Sequence, residues 1–164
     1  MQVVVADATP LNYLILIEAV EVLPKLFTKI HLPIEVANEL SSADAPEAVK
    51  SWMKRPPSWI EVSKSGEPSI AEPALNALDL GERAAILLAE SLRADLLLID
   101  EREGAAIAER RGLAVTGTLG VLDLADRRGL VNLRETFVRL RRTNFRYPPS
   151  LIEKILREAE RRKK

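Results

Sequence analysis

The sequence predicts an α/β fold, a single domain with a central parallel sheet flanked by helices and closed by a C-terminal helical extension. Two observations carry that prediction. Short continuous apolar runs, QVVVA at 2–6 and DLLLI at 95–99, have the length and composition of strands buried on both faces. Segments with helical apolar periodicity alternate with such runs, the pattern of strand and crossover helix around a parallel sheet. The length, 164 residues of which 47% are apolar and 4% aromatic, fits one ordinary domain rather than two.

Residues 2–6 form the first predicted strand, and Thr9-Pro10 follow as N-cap and first-turn proline of a helix reaching about Leu23. Asp7 therefore falls where a strand ends and a helix begins. Ile30–Leu32 is a second short strand, and Pro33 opens a helix through about Leu40 with Ile34, Val36, Ala37 and Leu40 on one side. From Ser41 to Pro73 the signal is irregular, broken by Pro46, Pro56, Pro57, Pro68 and Pro73, with a helix at Glu47–Lys54 and a strand at Trp59–Val62. A strongly helical pattern runs from about Asn76 to Leu92, and Asp95–Ile99 is the next strand, followed at once by Asp100 and Glu101.

A helix at about 102–111 then ends at Gly112, and Ala114–Thr116 is a short strand. After the Gly117-Thr118 turn a helix reaches about Arg128, Gly129 ends it, and an amphipathic helix spans about Leu133–Arg142. Pro148-Pro149 sets off a last charged helix at about Ser150–Lys163. The division expected is a domain over 1–142 and a basic extension over 143–164.

Composition excludes several classes of function. With no Cys there is no disulfide framework, thiolate zinc site or thiol nucleophile, and His31 is the only His. No stretch approaches the roughly 18 apolar residues of a membrane span, and no signal peptide is evident, so the expected location is the cytoplasm, away from any membrane. The zero net charge conceals an asymmetry: residues 134–164 carry +7 and residues 1–133 carry −7. An acidic body with a basic tail suits a cation at one place and a polyanion at another.

In open parallel sheets ligands collect beyond the carboxyl ends of the strands. Asp7 and the pair Asp100/Glu101 occupy such ends. Glu39 and Glu82 lie on helices next to apolar residues, from which both project toward the same crevice. Carboxylates crowded in this way repel one another unless they are protonated or neutralised by a hard divalent cation, Mg²⁺ or Mn²⁺. A hard cation that keeps its waters supports attack on a phosphodiester, which is the chemistry of a metal-dependent nuclease.

Taken singly, each acid has a plainer reading. Asp7 serves as a helix cap, Glu39 as a solvated helix residue, and Glu82 as a favourable charge at a helix start. Asp79, Glu35, Asp123 and Asp126 read as surface or supporting acids, His31 as structural, and Trp52 and Trp59 as packed or interfacial. The basic tail from Arg139 to Lys164 reads as a solvated helix, an RNA-backbone contact or a docking element. The apolar positions Leu14, Ile15, Ile17 and Val20 suggest either a dimer seam or a broad core face.

Five blocks in order, VVVADATPLNYL, PIEVANEL, LDLGERAAILLA, LLLIDEREGAAIAERRGL and VTGTLGVLDLADRRGLV, resemble the PIN domain, and within it the VapC-like toxin ribonucleases. The resemblance covers about residues 2–142. It implies a Mg²⁺- or Mn²⁺-dependent endoribonuclease acting on RNA, a homodimer, and an antitoxin protein as partner. By motif it assigns Asp7, Glu39 and Glu82 as the first three acids and Asp100 or Glu101 as the fourth. Thr9 matches the small hydroxyl residue near the first acid, and Thr116 and Thr118 are candidates to bind a metal water or a phosphate, or else caps.

Glu82 stands where Asp is commoner, which lengthens that arm by one methylene. The Asp-x-Asp of haloacid-dehalogenase-type phosphotransferases and the Gly-rich fingerprint of dinucleotide dehydrogenases are both absent after the first strand. The alternative kept open is a degenerate PIN-like module that binds RNA or protein without cutting.

Overall fold

The computed structural model describes residues 2–67 and 72–163; Pro68, one of the expected breakers, and Lys164, the end of the basic tail, lie outside them. Five strands, β1 (Val4–Ala6), β2 (Ile30–Pro33), β3 (Ile60–Ser63), β4 (Leu96–Leu98) and β5 (Val115–Thr116), form one sheet in the order β3-β2-β1-β4-β5. Every pairing is parallel: Val4 lies opposite Ile30 on one side and Leu96 on the other. The predicted parallel α/β architecture is therefore present, and its central strands are buried on both faces, with Val4, Val5, Ala6, Leu97 and Leu98 all at 0% exposure.

The chain leaves β1 toward β2 on one side and later returns to place β4 on the other. That reversal is a topological switch point, and the crevice it opens lies beyond the carboxyl ends of β1 and β4. Helices cover both faces. One core layer packs Leu11, Leu14, Leu23, Leu122 and Phe137 around β1 and β2. The other packs Leu75, Ile86, Leu88 and Ile107 against Val5, Leu97 and Ile99.

Most elements lie within a residue or two of their predicted bounds: α3 (Ile34–Leu40), α4 (Glu47–Lys54), α7 (Arg102–Arg110), α8 (Thr118–Arg127), α9 (Leu133–Arg141) and α10 (Pro149–Arg162). Two predicted helices are instead divided. The first is α1 (Ala8–Leu16) followed by α2 (Val22–Phe27), because Glu18 takes a left-handed conformation with φ 60°. Its N–H donates to the Ile15 carbonyl and that of Ala19 to the Leu14 carbonyl, a Schellman ending made without glycine. Asp7, not Thr9, is the N-cap residue of α1.

The second is α5 (Pro73–Asn76) followed by α6 (Leu80–Leu92), since Asp79 restarts the helix by accepting the Glu82 N–H at 2.9 Å. Leu14, Ile15, Ile17 and Val20 are all buried within the single chain. Trp52 and Trp59 pack on each other with ring centroids 5.7 Å apart, against the core.

The C-terminal helix is docked rather than free. Its Ile152 and Ala159 are buried, and it packs on α8 and α9. Asp126, read as a surface or supporting acid, is buried, accepts the Leu133 N–H at 3.3 Å and faces Arg162 and Lys163 at 3.5 Å each. Asp123 adds an ion pair to Arg162 at 2.9 Å. Part of the basic tail is thereby neutralised by acids of α8.

Candidate active site

Asp7 follows β1 directly, and its backbone N–H extends the sheet by donating to the Leu98 carbonyl of β4 at 2.8 Å. Its side chain is buried at the N-terminus of α1, where the orphan helix N–H groups favour a negative charge. Burial nevertheless dominates and pushes its carboxyl up to about 7; the Ala8 N–H opposes this, and the charges of Asp79, Glu39 and Asp100 add to it. Four acids thus share one electrostatic neighbourhood at the switch point.

Asp100 reaches the same crevice from the next strand, two residues beyond β4. Its two oxygens accept from Thr118, Oδ1 from the backbone N–H at 2.7 Å and Oδ2 from the hydroxyl at 2.6 Å. Burial raises its carboxyl above the ordinary range while both Thr118 bonds pull it down. Gly117 makes this seat feasible, because a Cβ there would overlap Asp100 Oδ1.

Glu39 rises from the last turn of α3 and Glu82 from the first turn of α6. The two helices pack together at Gly81, where a Cβ would stand 3.4 Å from Glu39 Oε2 and 3.6 Å from Asp7 Oδ1. The space over Gly81 is therefore bordered by two carboxylates and by Val36. Burial and the Asp79 charge raise Glu39. Glu82 is pushed up to about 8, first by burial, then by the charge of Asp79 and a side-chain hydrogen bond with it, with Asp7 and Glu101 adding less.

Asp79 is the residue that sequence reasoning undervalued. It caps α6 and its charge acts on Asp7, Glu39 and Glu82 alike. The signal was in the sequence: Asp79-x-x-Glu82 has the spacing of a capping box, which also marks the break between α5 and α6.

The remaining candidates separate by geometry. Glu101 is exposed and caps α7, its Oε2 accepting the Gly104 N–H at 2.7 Å, whereas Asp100 faces the crevice. Thr9, with Asn12, Tyr13 and Glu39, lines a groove of about 330 Å³ beside the acids. Thr116 lines a second pocket, of about 430 Å³, that also contains Asp100. Thr118 is fully buried, and its hydroxyl is committed to Asp100. His31 sits on β2, with Nδ1 3.7 Å from Glu61 Oε2, away from the acid cluster.

Among the described residues no three His, Asp or Glu side chains converge tightly enough to hold an ion as they stand. Asp7 Oδ1 and Glu39 Oε2 instead both border Gly81, and Asp79 and Glu82 share a side-chain hydrogen bond. The donor set is nevertheless all hard oxygen, and it carries several carboxyls whose charged forms are disfavoured by burial and by one another. That set fits a hard divalent cation and no soft one. No helix of the described residues is long and apolar enough to cross a membrane.

A model of the family DUF3368, a PIN domain, matches residues 3–161, which include every acid of the cluster and all but the last residue of α10. No curated protein matches the chain. With a parallel five-stranded sheet, acids at its switch point and a family match over nearly its whole length, the chain belongs to the PIN-domain family.

Proposed function

We propose that the protein is a divalent-metal-dependent endoribonuclease. The observation that carries this reading is the position of Asp7 and Asp100 at the carboxyl ends of adjacent strands, within each other's electrostatic reach, with Glu39 also bordering Gly81 and Glu82 on the neighbouring helix turn. PIN domains are generally nucleases, which fits such a cluster.

Asp7, Glu39, Glu82 and Asp100 would hold the cation, Mg²⁺ or Mn²⁺, with Glu101 as the remaining candidate. When bound, such an ion supplies charge neutralisation and Lewis-acid activation for hydrolysis of a phosphodiester. The chain's own contribution is arrangement. Thr118 fixes the carboxylate plane of Asp100. Asp79 orients the start of α6 and hence Glu82. Gly81 adds no side chain where Asp7, Glu39 and Val36 approach its backbone. Thr9, Asn12 and Tyr13 offer polar groups along the groove beside Glu39, where an RNA backbone would lie.

The finer reading, a toxin of the VapC-like branch that acts as a homodimer in the cytoplasm and is restrained by an antitoxin, is supported by the five ordered sequence blocks. A mixed RNA pool incubated with Mn²⁺, with Mg²⁺ and with chelator, using wild type and Asp7→Asn, tests the activity. Metal-dependent cuts that vanish in Asp7→Asn support it. No cuts from a folded chain that binds neither ion would replace it with a degenerate module that binds RNA or protein.

A further inference from the structure

We propose that the pocket between the β4 and β5 ends and the Phe145–Pro148 turn is a nucleobase subsite, holding one unpaired base of the RNA next to Asp100. This rests on the ribonuclease reading and adds to it where a base would be gripped. The cavity measures about 430 Å³, within the range of small-ligand sites. Ile99, Val115 and Leu119 supply apolar surface from the body, and Phe145 and Tyr147 supply aromatic surface from the turn before α10.

The aromatic wall is built rather than incidental. Phe145 and Tyr147 stack with centroids 5.9 Å apart and planes 29° from parallel. Phe145 is backed edge-on by Tyr13 of α1 at 4.9 Å, and the Tyr13 hydroxyl donates to Asn144 Oδ1 at 2.7 Å. Thr143 completes the clamp: its hydroxyl donates to the Leu140 carbonyl at 2.6 Å and accepts the Phe145 N–H at 3.2 Å. Phe145 is thus held between Tyr13 and Tyr147 on a backbone fixed by Thr143, and such pre-arranged aromatic surface favours stacking of a base.

Charge supports the same occupant. Arg146 lies between the two rings in sequence, lines the pocket, is exposed, and forms no ion pair among the described residues. An arginine beside stacked aromatics complements a nucleotide, whose base is a flat π surface and whose phosphate is an anion. Asp100 lies in the same lining. A base seated on the rings would therefore have its phosphates near the acid cluster, so the pocket selects where the strand lies relative to the cut.

The test uses the full-length Asp7→Asn chain, which removes cleavage, and short single-stranded oligoribonucleotides followed by fluorescence anisotropy. A single abasic position is scanned along the oligonucleotide, and binding is repeated with Tyr147→Leu and Arg146→Ala added. One abasic position, and Tyr147→Leu, should each weaken binding about 5- to 100-fold. Combined, they should cost no more than either alone, because both remove the same contact. Arg146→Ala should flatten the salt dependence by roughly 0.7 in the logarithmic slope, the value for one single-strand phosphate contact.

Equal affinity at every abasic position overturns the subsite, and that arm needs no change at Tyr147. Unchanged affinity in a folded Tyr147→Leu chain also overturns it. Wild-type cleavage is measured in parallel. Base-dependent binding without cleavage refutes the nuclease reading and leaves the subsite standing, while cleavage without base dependence does the reverse.

Discussion

Thr118 donates to both carboxylate oxygens of Asp100, from its backbone N–H at 2.7 Å and from its hydroxyl at 2.6 Å. The same residue therefore begins α8 and fixes the acid of the neighbouring strand. Thr118→Val keeps shape and burial but deletes one of the two bonds that hold Asp100 down in pKa. If Asp100 holds the cation as proposed, the expected result is a roughly 10- to 100-fold loss of RNA cleavage, the usual cost of removing a support behind a metal ligand. Thr118→Ser should restore most of it. The acid limb of the pH–rate profile should move upward in Thr118→Val, which a purely structural defect would not produce.

Asp100 and Glu101 should separate in the same assay. Asp100→Asn should lose at least about 100-fold, as expected when a buried charge-stabilising group is neutralised. Glu101→Gln keeps an oxygen for the Gly104 N–H and should retain near wild-type cleavage. Equal losses in the two variants would make Glu101 a full partner of Asp100.

The acid cluster makes stability depend on pH in an unusual direction. Asp7 and Glu82 hold their protons up to about 7 and about 8 in the folded chain, well above their ordinary values. Between the ordinary carboxylate range and those values the folded state binds more protons than the unfolded one, so stability falls as pH rises. Without divalent cation, the melting temperature should drop between pH 5 and about pH 8 to 9, and Asp7→Asn should flatten the curve. Mn²⁺ or Mg²⁺ should recover the loss most strongly at the alkaline end, because binding there displaces fewest protons.

Gly81 offers a graded probe of the gap between Glu39 and Asp7. A methyl group at that position meets Glu39 Oε2 at 3.4 Å and Asp7 Oδ1 at 3.6 Å, ordinary contact distances. Gly81→Ala should therefore fold, with up to about 1 kcal/mol gained from reduced chain entropy, while cation affinity falls because the two oxygens are held apart and further desolvated. Gly81→Leu has no room for its branch and should disrupt the packing of α3 on α6. Calorimetry with Mn²⁺ reads the first effect and thermal melting the second.

Asp126 anchors the C-terminal helix. Asp126→Ala leaves the buried Leu133 N–H without its acceptor and removes the partner of Arg162 and Lys163, so about 1–3 kcal/mol of stability should be lost. Asp123→Ala, which breaks only more exposed pairs, should cost less than about 1 kcal/mol. Urea unfolding at constant slope measures both.

Periodicity and chain punctuation made most of this fold legible. Apolar runs at 2–6 and 95–99 became the two central strands, and Gly112 and Gly129, both at positive φ, ended helices where expected. What stayed hidden was a helix ending that uses an ordinary residue. Glu18 adopts the same left-handed conformation as those glycines and its residue type does not announce it, whereas at Arg93, also left-handed, the apolar periodicity already ended the helix at about Leu92. The division of α5 from α6 was visible in Asp79-x-x-Glu82, yet the continuous helical pattern of Leu78, Leu80, Ala85 and Ile86 masked it. Within the site, strand ends revealed Asp7 and Asp100, whereas the burial of Thr118 and the reach of the Asp79 charge emerge only when separate elements pack. The docking of α10 depends on Asp126, whose burial no local pattern encodes.

The parallel order of the sheet also has a consequence for how the protein is made. No neighbouring strands are joined by a hairpin, and the contact that starts the pairing of β1 with β4, at the end of the sheet opposite the acids, spans 92 positions, from Val3 N–H to Asp95 Oδ2. Closing so long a loop is entropically slow and comes with β4. A growing polypeptide that has emerged only as far as α6 already carries Asp7, Glu39 and Glu82, yet it has no second strand wall, no Asp100 and no crevice between them. On the ribonuclease reading proposed above, competence to cut would be tied to completion of the sheet, and a chain that stops before β4 would lack it.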